Sequence, residues 1–67
     1  MKRYRIYGKL DDMKCFRPLG GGRLVFNLIY AEIFDVQDDE VLARLKKEVE
    51  RIKQANGGEW ELRKISA

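Results

Sequence analysis

The chain has 67 residues, a net charge of +3, one cysteine and no histidine. A chain this short forms one domain at most and buries only about 60% of its unfolded surface. No internal disulfide can brace it, no Cys/His zinc site can form within it, and no histidine base can activate Cys15. The lone cysteine reads as a small buried or half-buried apolar residue of a reducing, cytoplasmic setting.

Apolar residues make up 45% of the chain and charged residues 37%, the balance of a folded domain. Met-Lys-Arg-Tyr-Arg at the start lacks the apolar core of a signal peptide. The longest apolar-rich run, Leu24 to Phe34, is interrupted by Asn27 and Glu32 and is far shorter than a membrane span. Charge is unevenly spread: residues 1–23 carry seven bases and two acids, whereas residues 24–43 carry five acids and no base. Opposed patches of this kind steer a partner onto one face and differ from the uniform basic field of a dedicated nucleic-acid binder.

In chain order, YRIYGKL alternates, with Tyr4, Ile6, Gly8 and Leu10 on one side and Arg3, Arg5, Tyr7 and Lys9 on the other. Period two marks a strand with one buried face. Asp11-Asp12 supplies a turn, and a second strand is expected over Met13 to Leu19, with Pro18 confining it to an edge or strand terminus. Gly20-Gly21-Gly22 precedes the strand-like Arg23-Leu24-Val25-Phe26. A phosphate cradle would need the glycines to open a helix, so this is a hairpin turn.

Leu24 to Asn27 reads as strand, while Leu28 to Phe34 fits either strand or helical turn. The favoured reading carries the strand to about Tyr30 and then docks Ala31 and Phe34 on the core through a short turn. Asn27 satisfies backbone groups at a strand end. Glu32 either faces solvent at a sheet edge or pairs with an arginine.

The helix follows, with Asp35 or Asp38 as cap and Asp38, Asp39 and Glu40 at the positive end of its dipole. Val41, Leu42, Leu45, Val49 and Ile52 form its apolar stripe. Glu40–Arg44, Arg44–Glu48 and Lys46–Glu50 offer i,i+4 ion pairs, and Asn56-Gly57-Gly58 ends the helix. EWELRKI is a last alternating strand with Trp60 and Leu62 inward. The expected fold is a single α+β domain over residues 1–67: a small two-layer arrangement, β-β-β-α-β, with a three- to four-stranded mainly antiparallel sheet packed on one helix.

Asp11-Asp12 and Asp38-Asp39-Glu40 are explained as a turn and a helix start. The pattern therefore implies neither catalysis nor a cofactor nor a metal. It implies binding: one helix cannot cover both faces of a sheet, so the face bearing Arg5, Tyr7 and Phe16 is the expected contact surface for a protein partner or a second copy. The alternative is single-stranded nucleic acid held by Arg3, Arg5, Tyr7, Lys9 and Arg17, with Phe16 extending the row. Against that alternative, Glu59 and Glu61 on the last strand would face the arginines as cross-strand partners. YRIYGKL, NLIYAEIF, the acidic helix start and ELRKI together resemble small uncharacterised bacterial proteins from phage or mobile-element neighbourhoods. That resemblance implies a bacterial cytosolic accessory or inhibitor protein and transfers no catalytic residues.

Overall fold

The computed structural model describes residues 1–65 as an antiparallel sheet of five strands with one α-helix. The strands are β1 (Lys2–Lys9), β2 (Arg17–Gly20), β3 (Arg23–Leu24), β4 (Phe34–Val36) and β5 (Glu59–Lys64), and α1 (Asp39–Asn56) precedes β5. This is the expected two-layer α+β fold with one strand added, β4.

β1 is the central strand because its apolar alternation lets it bury one face while pairing on both edges. One edge takes β5 along six residues, from Tyr4↔Lys64 to Lys9↔Glu59. The other edge is divided: β4 pairs Lys2, Arg3 and Tyr4 with Val36, Asp35 and Phe34, and β2 pairs Tyr7 and Gly8 with Pro18 and Arg17. Between these two partners the chain is handed over at Glu32, whose N–H donates to the Leu19 carbonyl (2.9 Å).

The second strand is shorter than Met13 to Leu19. Residues 10–16 are held instead in a turn, where Met13 N–H donates to the Leu10 carbonyl (2.9 Å) and Leu10 N–H to the Met13 sulfur (3.4 Å). Cys15 in this turn is exposed, not buried or half-buried. The glycine hairpin stands as read, with Gly21 and Gly22 at φ +60° and +81°. Pro18 lies inside β2, between β1 and β3. It accepts from Val25 N–H (2.8 Å) but has no N–H to return, so the β2–β3 ladder stops at Leu24.

Leu28 to Phe34 is neither continuous strand nor α-helix. Leu28–Tyr30 is a single 3₁₀ turn, and β4 begins at Phe34. Asn27 is the reason for the break: its Oδ1 accepts from Ile29 N–H (3.1 Å) and its carbonyl accepts from Tyr30 N–H (3.0 Å). A side chain that satisfies the backbone locally competes with the ladder. Alternation puts Gly20 on the face away from α1, and there the Tyr30 carbonyl occupies the space a Cβ would need. The turn thus crosses the outer face of β2, which accounts for the burial of Pro18 and Gly20.

α1 begins where Asp38 Oδ1 accepts from Val41 N–H (2.9 Å) and ends at Gly57, φ +73°. Its stripe closes the core: Leu45 and Val49 are buried with Ile6, Leu19 and Val36, and Val41, Leu42 and Ile52 pack around them with Tyr4, Phe34, Trp60 and Leu62. Among the described residues, Ile6 is the large side chain that is fully buried, at 0% exposure. Of the expected helix ion pairs none forms among the described residues; Glu48 pairs with Arg51 instead, one turn on.

Candidate functional site

Two surfaces compete. The first is the sheet face away from α1, where the odd residues of β1 point. Arg3, Arg5, Tyr7 and Lys9 stand there in a row as read from the sequence, and Phe16 joins them. Arg17 does not. It pairs with Gly8 on the helix side, where its guanidinium carbon lies 4.9 Å from the Phe26 ring centre.

Most of this row is already matched within the chain. Arg3 Nε lies 3.5 Å from Asp35, and Lys9 Nζ lies 3.5 Å from Glu59. Arg63, opposite Arg5 across the strands, donates to Glu61 (3.1 Å). The same guanidinium sits over Tyr7 at 4.2 Å and near Phe16 at 5.2 Å, so it occupies the stacking faces of both rings. The hydrogen bond from Arg63 holds the Glu61 carboxyl below its ordinary range, and Glu61 in turn raises Arg63. Arg5 is the exception: its Nε is buried without a hydrogen-bond partner, and no described acid pairs with it. Glu59 and Glu61 lie on this face, but opposite Lys9 and Tyr7 and not opposite the arginines of β1 as expected, because the register sets Arg63 against Arg5.

The second surface was not legible as a site. It is a groove of about 880 Å³ on the helix side of the β2–β3 hairpin. Leu19, Leu24 and Val25 form its floor, Ile52 and Ala55 of α1 one wall, and Leu10 and Met13 of the first turn another. Phe26 stands at the lip, 85% exposed. Lys14, Arg17 and Arg23 rim it on the hairpin side, and Arg51 on the helix side is neutralised by Glu48. Glu32 is the remaining acid, exposed and without an ion pair among the described residues.

The groove exists because α1 is too narrow for the sheet. β5, β1, β2 and β3 lie abreast, so the outer strand axes are about 15 Å apart at the usual strand spacing. A helix with its side chains is about 10 Å wide. α1 packs chiefly on β5 and β4, shares only Leu19 and the inner side of Leu24 with the hairpin, and leaves the hairpin's outer part open. Further apolar surface lies on the loop after β3, where Ile29 is 75% exposed and Leu28, Tyr30 and Ile33 are also open.

No group of three or more metal-ligating side chains gathers among the described residues, and none of their helices is long and apolar enough to cross a membrane. No protein-family model, curated protein or solved structure matches the chain.

Proposed function

We propose that this domain is a non-catalytic protein-interaction module that makes contact through the groove beneath the β2–β3 hairpin. The supporting observation is the open helix-side face itself: an apolar floor beside a nearly bare phenylalanine, on a domain whose described residues bury a core of five hydrophobic side chains. Water against that lining is costly, and soluble monomers seldom keep such patches unless something covers them. The basic rim selects for an acidic partner. A cytosolic accessory or inhibitor role in a bacterium accords with a small module that acts by contact. A photo-crosslinking amino acid placed at Ala55, beside the groove, should join the domain to a protein in its native cell, whereas the same probe at Arg3 should not. Adducts from Arg3 and none from Ala55 would move the contact to the outer face.

Arg5 favours a second reading, single-stranded nucleic acid on the outer face, because it is a cation left unmatched beside a second arginine. Oligonucleotide affinity that falls steeply with salt and is lost in Arg5→Ala would support it.

A further inference from the structure

We infer that the groove receives an amphipathic α-helix from another protein, apolar on the side that meets the hairpin and acidic along its flanks. The inference rests on the interaction reading above and names the occupant of that same surface.

The first argument is width. The strip of sheet that α1 leaves open spans β2 and β3, about one strand spacing plus side chains, which is the footprint of one helix of about 10 Å diameter. α1 already supplies a parallel wall through Ile52 and Ala55. A helix laid there would complete the second layer of the sandwich, in the position a second helix of the chain would take. The floor suits it: the half-buried Leu24 and Val25 offer apolar contact to an i, i+3, i+4, i+7 stripe above the buried Leu19, and Phe26 at the lip can close over the incoming side chains.

The second argument is charge. Lys14, Arg17 and Arg23 line the outer rim and have no ion-pair partner among the described residues. Three cations against Glu32, the single unpaired acid among the described lining residues, with Arg51 and Glu48 neutralising each other, leave the groove net basic and call for acids on the flank that runs beside the hairpin. A second copy of the chain fits less well, because its own helix stripe is spent on its own core.

The test uses the full chain, isotope-labelled, titrated with three designed helical peptides of equal length. One carries a leucine stripe with glutamate flanks, one the same stripe with lysine flanks, and one a scrambled order of the first. The acidic amphipathic peptide should shift Leu24, Val25, Ile52 and Ala55 resonances, with at least tenfold weaker binding by the other two. Ala55→Arg, an exposed position on α1, should abolish the shifts while leaving the helical circular dichroism intact. Equal binding of all three peptides, or shifts confined to Tyr7, Arg5 and Arg63, would overturn the inference. A wild-type chain that elutes as a dimer with the groove resonances already protected would also overturn it, while leaving the interaction reading standing. A monomer that binds none of the peptides and gives no cellular adduct from Ala55 would remove both.

Discussion

The two halves of the sheet meet the same side of the molecule with opposite results. Under α1, the half built from β5, β1 and β4 places Ile6, Val36, Leu62 and Trp60 against a matched helix stripe. Beside it, in the β2–β3 half, Leu19 reaches the core, but Leu24 and Val25 farther out are only half-buried and line an open groove. Composition does not separate them, because both halves alternate apolar and polar residues. The number of strands abreast does. One helix covers about two strands, and this sheet has four across its middle.

The sharpest way to break the comparison is to hollow the covered half. Ile6→Ala removes the large side chain that is fully buried and should cost about 2–5 kcal/mol. That is enough to unfold much of so small a domain at room temperature, as a urea titration followed by circular dichroism would show. Phe26→Ser in the open half removes a larger side chain and should shift the midpoint by less than about 0.5 kcal/mol, since 85% of it is already in water. Equal losses at the two sites would mean that the hairpin face is covered after all.

Gly8→Ala probes the border between the halves. An added Cβ would lie 2.5 Å from the Trp60 ring, which rests flat on Gly8 and donates from Nε1 to the Gly57 carbonyl (2.7 Å). Displacing the ring should cost about 1–3 kcal/mol and red-shift the fluorescence of the single tryptophan. Asp38→Ala removes the cap that starts the covering helix and should cost about 1 kcal/mol in the same urea titration. The smallest effect concerns the outer face. Glu61 titrates below its ordinary value of 4.5 in the folded chain because Arg63 donates to it. Its contribution is therefore full above that value and is lost as pH falls through the lowered one. Glu61→Gln should flatten the acid limb of the stability curve slightly and leave the neutral plateau nearly unchanged.

Much of the covered half was legible in the sequence because it obeys short-range rules. The period of YRIYGKL, the Val41–Ile52 stripe, an aspartate cap narrowed to Asp35 or Asp38 and the glycine stops each rest on neighbours a few residues away. The outward row of β1 was legible for the same reason, but its partners were not, since the register sets Glu59 and Glu61 against Lys9 and Tyr7 and leaves Arg5 facing Arg63. The second half was not. Pro18 stops the β2–β3 ladder at Leu24, Asn27 opens the following 3₁₀ turn through one side-chain hydrogen bond, and Tyr4 takes Phe34, thirty residues on, as a partner. The groove follows from how these pieces divide one edge of β1, a non-local fact. The available hint was density: Tyr7, Phe16, Leu28 and Tyr30 exceed what one helix can cover. That reckoning anticipated open apolar surface but assigned it to the outer face, where Arg63 already lies over Tyr7 and near Phe16.

The most direct measurement is line broadening of methyl and alanine resonances by a soluble gadolinium chelate, on a dilute sample of the full chain. Ala55 should broaden strongly, Val25 and Ile52 to a lesser degree than the open Ile29 but clearly, while Ile6, Val36 and Val49 are spared. If Val25 and Ile52 are as protected as Ile6, the hairpin has no bare side and the account of a docking groove fails.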